Sequence, residues 1–402
     1  MAPLQLVGCL AGVTGQAMIN RLLSDGAFPF WKAAAGGGLL IAGFVFVAYF
    51  VLPAYFGTDL DQPAAAVEVF PAPREASHLK PPPVVRGIYL TSFVAGSERF
   101  RSSLVELVDR TELNAVVIDI KDYSGRVAFP LNDPMLARVG SAESRIRDIF
   151  DFLEILHKKG IYVIGRIVVF QDLFLTSRQP ELAVKRPDGS VWKDFKGLSW
   201  IDPGAKEYWR YISALAVESY KLGFDELQFD YIRFPSDGDM KNIIYPWSGG
   251  RTKADVLDEF FSFLSAELRG RGIPISADIF GMTTIDTDDL NIGQIFERIL
   301  THFDYISPMV YPSHYPPNFN GVKNSAAEPY EVVRYSLDRA MIRASTTPSK
   351  IRPWLQDFSL GANYTAEMIK AEIQAVYDSG FESWLLWSPS NKYTEAALVP
   401  AK

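Results

Sequence analysis

Residues 205–235 read AKEYWRYISALAVESYKLGFDELQFDYIRFP and contain a helix followed at once by a strand. The first part, 205–223, has apolar side chains at helical spacing and ends at Gly223, a residue type that commonly terminates helices. The second part, 226–235, is a short run rich in apolar and aromatic residues, which is typical of a strand. This direct succession of helix and strand indicates an α/β protein.

The same rhythm extends on both sides of this segment. The predicted strands are 87–92, 115–122, 162–170, 226–235, 274–281, 305–312, 352–359 and 383–389. The predicted helices are 101–110, 144–160, 205–223, 254–272, 293–303, 328–344 and 365–380. Eight strands that alternate with helices predict a (β/α)8 TIM barrel, and a doubly wound open sheet is the alternative. No glycine-rich nucleotide loop follows the first strand, which counts against the open sheet.

The composition of the chain excludes several classes of protein and of metal site. The chain has 402 residues, of which 48% are hydrophobic, and a formal net charge of −7. This composition excludes a disordered chain, and the negative charge argues against a nucleic-acid-binding surface. The single cysteine, Cys9, excludes internal disulfides and cysteine-based zinc sites, and the four histidines are far apart in sequence. We therefore expect neither a cofactor nor a bound metal, although a carboxylate-dominated metal site stays open.

Residues 33–56, AAAGGGLLIAGFVFVAYFVLPAYF, carry no charge and are long enough to cross a membrane as a helix. A signal peptide is the alternative, and the alanines at 64–66 leave cleavage open. Basic residues precede the span and acidic residues follow it: Arg21 and Lys32, then Asp59 and Asp61. The positive-inside rule then predicts a single-pass protein of the inner (plasma) membrane with its large C-terminal part outside the cytoplasm.

The expected order of segments follows from these features. It is a cytoplasmic tail at 1–32, a transmembrane anchor at 33–56, a Pro/Ala-rich linker at 57–83, the barrel at 84–395 and a short tail at 396–402. The linker ends in three prolines and is expected to act as an extended spacer.

Acidic residues lie near the carboxyl ends of several predicted strands, where a (β/α)8 barrel places its chemistry. They are Asp119, Asp122, Asp230, Asp278 and Asp357. A single aspartate at a strand end is ordinarily a helix or turn cap. Asp230 and Asp278, however, have no Gly or Pro beside them, and a carboxylate within an apolar strand is costly unless it is partnered or used.

Two carboxylates on adjacent strands among aromatic side chains suggest cleavage of a glycosidic bond. One carboxylic acid would protonate the leaving oxygen, and the other would attack the sugar or activate water. Arg166 and Arg233 either tune such carboxylates or form structural ion pairs, for example Arg166 with Asp119. Aromatic residues near strand ends would pack on sugar rings, with core packing as the alternative role; the candidates are Tyr311, Trp354 and Trp387.

Four segments resemble a known family, the bacterial barrel proteins called "putative glycoside hydrolases". The segments are GFDELQFDYIRFP (223–235), ISADIFG (275–281), SPMVYPSHY (307–315) and SWLLWSP (383–389). The resemblance covers roughly residues 84–395 and implies a barrel fold, an oligosaccharide or polysaccharide substrate and distant kinship with α-amylases.

The amylase-like pattern implies roles for three aspartates. Asp230 occupies the place of the nucleophile, Asp278 that of the general acid and Asp357 that of a helper carboxylate. This chain departs from the pattern by having Gln228 and Gln356 where amylases have arginine and histidine, and an aspartate as the acid where amylases have glutamate. These differences count against specificity for starch.

Three functions from different classes remain open at this point. A membrane-tethered glycoside hydrolase that cleaves a cell-envelope or extracellular polysaccharide with a retaining mechanism is the leading hypothesis. A catalytically inactive barrel that binds glycan or a protein partner is the second, and it would not need two acids across one pocket. A metal hydrolase that uses Asp119, Asp230 and Asp278 is the third. A chitinase-like acid would fall at position 232, which is Ile232, so substrate-assisted hydrolysis is not expected.

Overall fold

A computed structural model describes residues 75–401, and within them eight parallel strands close into a barrel in sequence order. The strands are β1 Arg86–Leu90, β2 Ala115–Lys121, β3 Tyr162–Val168, β4 Glu226–Asp230, β5 Ile275–Phe280, β6 Tyr305–Met309, β7 Trp354–Gln356 and β8 Trp384–Trp387. Pairing of β1 with β8 closes the barrel. The predicted (β/α)8 fold is thereby confirmed, and the open sheet is excluded.

Helices connect the strands and cover the outside of the barrel. They are α1 Ser92–Ala95, α2 Glu98–Arg110, α3 Pro134–Val139, α4 Ile149–Lys158, α5 Leu173–Arg178, α6 Lys206–Leu222, α7 Lys253–Arg269, α8 Phe296–His302, α9 Pro329–Ala344 and α10 Ala366–Asp378. Capping explains several of their bounds: the Thr252 hydroxyl accepts a hydrogen bond from Asp255 N at the start of α7. Gly223 ends α6 in the left-handed conformation at φ 117°, as its position in the sequence predicted.

Strand β4 shows how the alternation of side chains builds the interior of the barrel. Leu227 and Phe229 point outward and belong to the apolar core beneath the helices. Glu226, Gln228 and Asp230 point inward, because side chains two residues apart share one face of a strand. Their partners come from other parts of the barrel: Arg352, just before β7, for Glu226, Ser307 on β6 for Gln228, and Arg166 on the neighbouring β3 for Asp230. The interior is therefore polar from base to mouth along this strand.

Strand β4 ends earlier than the sequence predicts, at Asp230 rather than near Pro235. Tyr231, the next residue, has φ 52°, a left-handed conformation that is rare and strained for an aromatic side chain. Such strain is found most often at functional sites. The turn brings the Tyr231 side chain into the cavity at the mouth of the barrel.

The predicted anchor at 33–56 lies outside the described residues. Between residues 75 and 401, no helix is both long enough and apolar enough to cross a membrane. The described end of the predicted linker packs against the amino-terminal end of β4: Leu79 N donates to Asp225 Oδ1 at 2.7 Å, and His78 stacks on Tyr220 at 4.0 Å.

Candidate active site

A cavity of about 360 Å³ opens at the carboxyl ends of the strands, where barrels of this type place their chemistry. Its walls combine charged and aromatic side chains: Arg166, Lys196, Asp230, Tyr231, Arg233, Ser236, Asp237, Asp278, Phe280, Gly281, Met282, Met309, Tyr311, His314, Tyr315, Trp354 and Trp387. Asp230, Asp278, Arg166, Arg233, Tyr311, Trp354 and Trp387 are thus brought together from the residues that the sequence singled out.

Arg166 on β3 is the centre of the charged cluster. Its Nη1 donates to Asp119 Oδ1 at 2.6 Å, so the pair expected from the adjacent strands is present. Its Nε and Nη2 both donate to Asp230 Oδ2, at 3.0 and 2.5 Å. The amylase-like pattern would place an arginine at Gln228, and in this chain the guanidinium reaches the same carboxylate from the neighbouring strand.

Asp230 is fixed from both sides of its carboxylate. Oδ2 is bound by the Arg166 guanidinium, and Oδ1 accepts from the backbone N of Tyr231 at 2.5 Å. The peptide N–H that follows Asp230 therefore points back at the Asp230 side chain. The carboxylate is held rigidly at the floor of the cavity.

Asp278 on β5 has a different environment. The indole N–H of Trp354 donates to its Oδ1 at 2.7 Å. Burial raises the pKa of Asp278 well above its ordinary value, and the nearby charge of Asp230 raises it further, while Arg166 and Trp354 oppose the rise. The protonated form is favoured, and Oδ2 is the oxygen free to carry the proton.

The two carboxylates lie close to each other across Arg166. Nε of Arg166 is 3.0 Å from Asp230 Oδ2 and 3.9 Å from Asp278 Oδ2. These two oxygens are consequently no more than 6.9 Å apart, the sum of 3.0 and 3.9 Å.

Aromatic rings form one wall of the cavity. Trp387 stacks on Tyr89 with ring centroids 3.9 Å apart and meets Trp354 edge-on at 5.5 Å. The Tyr89 hydroxyl donates to Asp119, which links the wall to the charged cluster. Tyr311 completes this side and contacts His314 edge-on.

Three predicted aspartates do not line the cavity: Asp119, which is bound by Arg166, and Asp122 and Asp357. Both carboxylate oxygens of Asp357 accept hydrogen bonds from Thr394, from the backbone N and the hydroxyl, each at 2.8 Å. Strand β7 stops at Gln356, so Asp357 already belongs to the loop. Asp122 pairs with Arg145 at 2.6 Å. Asp122 and Asp357 stabilise loops, the ordinary role of a strand-end aspartate, and we assign no catalytic role to Asp357.

Some cavity residues were missed by the sequence reading. Lys196 comes from a hairpin-like excursion between β3 and α6, where residues 185 and 191 pair antiparallel, as do residues 193 and 199. The Asp188-Gly189 pair at its first turn is a hairpin signal that marks this excursion in the sequence. Met309 is the last residue of β6, and His314 lies in the segment that follows it. No sequence pattern marks either residue as part of the cavity.

The three carboxylates that a metal hydrolase would use do not surround a space that could hold a metal ion. Asp119, Asp230 and Asp278 all face the Arg166 guanidinium instead. Across residues 75–401, no group of three His, Cys, Asp or Glu side chains is arranged to hold a metal ion.

Solved structures share the barrel. The glycoside hydrolase domain of PgaB (BpsB) from Bordetella bronchiseptica is 15% identical, with a TM-score of 0.56 over 76% of this chain and 94% of that one. An α-L-fucosidase, isoenzyme 2 of Paenibacillus thiaminolyticus, is 13% identical, with a TM-score of 0.53 over 78% of this chain and 47% of that one. A hypothetical protein from Ruminiclostridium thermocellum ATCC 27405 is 38% identical, with a TM-score of 0.45 over 51% of this chain and 98% of that one.

The sequence comparison assigns the family. No curated protein sequence matches the chain significantly. Residues 87–393, which contain the whole cavity, match the family described as "Putative glycosyl hydrolase domain". The chain belongs to this glycosyl hydrolase family.

Proposed function

We propose that the protein hydrolyses glycosidic bonds with Asp278 as general acid and Asp230 as nucleophile. The observation that carries the proposal is the unequal environment of two carboxylates in one cavity. Asp230 forms a salt bridge with Arg166, whereas burial favours the protonated form of Asp278. A pair of carboxyl groups that differ in this way is what separates the acid from the nucleophile in glycosidases.

In the first step, Asp278 donates the proton on Oδ2 to the glycosidic oxygen as the bond from that oxygen to the anomeric carbon breaks. Trp354 holds the other oxygen of Asp278, so the acid has a fixed orientation. Asp230 attacks the anomeric carbon and forms a glycosyl ester. In the second step, the ionised Asp278 takes a proton from water, which attacks the same carbon and releases Asp230.

The short distance between the carboxylates favours retention of the anomeric configuration. Carboxyl groups lie about 5–5.5 Å apart in retaining enzymes and about 6.5–9.5 Å apart in inverting ones. The upper limit of 6.9 Å between the two Oδ2 atoms supports the retaining arrangement, because it leaves only the lowest part of the inverting range. NMR of the first-formed product tests this step, since a retained anomer is expected and an inverted one would leave Asp230 at most a base.

We further propose that residues 33–56 tether the enzyme to the membrane, with the barrel outside the cytoplasm and acting on an envelope or extracellular polysaccharide. The uncharged sequence of this segment supports the tether. Membrane fractionation combined with protease accessibility of intact cells tests it. Recovery of the full-length protein in the cytoplasmic fraction would contradict it.

Incubation with a panel of envelope and extracellular polysaccharides tests the catalytic proposal. The wild-type protein should release reducing ends from at least one polymer, and Asp230→Asn should release none. Asp357→Asn is the matched control, because it makes the same change outside the cavity and should keep turnover. Binding of a polymer without release of products would favour the inactive glycan-binding barrel instead.

A further inference from the structure

The two arginines that line the cavity differ in their ionic partners. Arg166 is neutralised by Asp119 and Asp230. Arg233 is only 8% exposed, yet within residues 75–401 no carboxylate lies within 4.0 Å of its guanidinium. A buried cation without an ionic partner is costly, so its position at the wall of a cavity calls for a functional explanation.

The hydrogen bonds of Arg233 leave one edge of the guanidinium unused. Nη1 donates to the Phe234 carbonyl oxygen at 3.0 Å and to Ser236 Oγ at 3.2 Å. Nε and Nη2 have no acceptor in the described part of the chain. An arginine binds a carboxylate with two parallel hydrogen bonds along such an edge.

Aromatic rings fix the orientation of this guanidinium. Its central carbon lies 4.9 Å from the ring centroid of Trp200, 5.2 Å from that of Tyr231 and 4.6 Å from that of Phe280. The rings supply cation–π contacts but no hydrogen-bond acceptor. Burial also lowers the pKa of Arg233, which is the sign of a charge that an approaching anion would stabilise.

Lys196 adds a second positive charge at the rim. Its backbone N donates to Asp194 Oδ1 at 2.9 Å, which fixes the turn that carries it. No carboxylate in residues 75–401 lies within 4.0 Å of its ammonium group. Asp237 also lines the cavity, but it is solvent-exposed on a loop and pairs with neither cation. The carboxylates of Asp194, Asp230 and Asp237 stabilise the charge of Arg233 from a distance, but none of them pairs with its guanidinium.

We propose that Arg233, with Lys196 at the rim, binds a carboxylate group of the substrate, so that the glycan contains carboxylate-bearing sugars such as hexuronic acids. The hydroxyl groups of a neutral glycan can accept hydrogen bonds from Arg233 but leave its charge uncompensated, and a cationic glycan would be repelled. The inference rests on the proposed function only in placing a glycan in this cavity.

Binding measurements can test the inference without requiring turnover. Asp278→Asn of the full chain is the background, because it removes the acid and keeps the neutral charge of protonated Asp278. The probes are hexuronic-acid oligosaccharides of several linkages, each paired with its carboxyl-reduced neutral counterpart, and titration calorimetry gives the Kd. We expect at least one acidic member to bind about 10- to 100-fold more tightly than its counterpart, the range of a charged hydrogen-bonded pair.

Substitutions test whether Arg233 and Lys196 cause the preference for acidic oligosaccharides. Arg233→Gln should remove the preference, Arg233→Lys should keep only part of it because the fork is lost, and Lys196→Ala should reduce it less. Arg339→Gln is the matched control, since Arg339 also lies over an aromatic ring but outside the cavity. The inference is overturned if no acidic member is preferred over its neutral counterpart, or if Arg233→Gln weakens both members of a pair equally. Acid-selective binding without hydrolysis by the wild-type protein would instead refute only the proposed function.

Discussion

Two buried arginines face the same barrel interior, one at the mouth and one at the base, and they differ in what surrounds them. At the mouth, Arg166 binds Asp230 at the edge of an open cavity. At the base, Arg352 donates to Glu226 at 2.8 Å and lies 3.4 Å from the ring centroid of Tyr305. Its side chain is 2% exposed and that of Glu226 is fully buried.

The difference shows that a buried ion pair is not by itself a sign of catalysis. The base cluster is sealed: the Tyr162 hydroxyl donates to Glu226 at 3.1 Å, and the carboxylate does not line the cavity. Such a pair stabilises the fold, whereas a charged group at the carboxyl ends of the barrel strands can contact a substrate. Variants at the mouth should therefore lose activity and keep most of their stability, whereas variants at the base should lose stability and keep their activity.

The largest effect is expected at the mouth. Asp230→Asn should lower kcat by about 10⁴-fold or more, the scale on which loss of a covalent nucleophile acts. Unfolding by denaturant should change far less than activity, because Arg166 keeps its partner Asp119. Retention of wild-type turnover by the folded variant would make Asp230 a structural residue like Glu226.

The opposite pattern is expected at the base. Glu226→Gln should lower the free energy of unfolding by about 3–5 kcal/mol, because Arg352 is left as an uncompensated buried charge. The value of kcat per folded molecule should change far less, because Glu226 is the last of the named causes that raise the pKa of Asp278. Glu226→Leu combined with Arg352→Met should recover most of the stability, since apolar replacement of a whole buried pair is often neutral. Loss of kcat in the stable double variant would mean that the base contributes to the chemistry.

The pH dependence should separate Asp278 from ordinary carboxylates. Because folding raises its pKa, its contribution to stability is fully present below the ordinary carboxyl pKa and is lost as pH rises through the raised value. Asp278→Asn should thus be more stable than wild type at high pH and no more stable in acid. The kcat of the wild-type enzyme should also fall as the pH rises through the raised pKa, because Asp278 then loses the proton that it donates. Parallel stability curves for the two proteins would show that the pKa of Asp278 is not raised.

The smallest effect is expected from the segment before β1. A chain that begins at residue 84 should fold, but with a free energy of unfolding about 1–3 kcal/mol lower than one that begins at residue 75. The shorter chain loses the hydrogen bond from Leu79 to Asp225, while Val163 N still donates to that carboxylate. Since these contacts lie at the base, kcat should be equal in both. A lower kcat in the shorter chain would show that the base of the barrel contributes to catalysis.

Periodicity in the sequence was sufficient to predict the barrel. The helices and strands repeat apolar patterns that local physics enforces, and Gly223 ended its helix as expected. The end of β4 was not predictable, because the left-handed turn at Tyr231 is imposed by tertiary contacts on a residue that ordinarily avoids it.

The candidate site was only partly predictable for the same reason. Asp230, Asp278 and Asp357 occupy similar places in the linear pattern, yet only the first two face the cavity. Whether a strand-end aspartate faces inward depends on where its strand stops, and β7 stops one residue before Asp357. Arg352 and Glu226 lie 126 positions apart in the chain, so no local pattern links them.

The most direct test of the central claim is mass spectrometry of a trapped intermediate. The enzyme is incubated with a 2-deoxy-2-fluoro glycoside of the sugar that it releases, carrying an activated leaving group, and then digested. The proposed mechanism predicts one added glycosyl mass on the peptide that contains Asp230, and no such mass in Asp230→Asn. A glycosyl group on another residue, or full turnover of the natural substrate with inverted configuration, would contradict it.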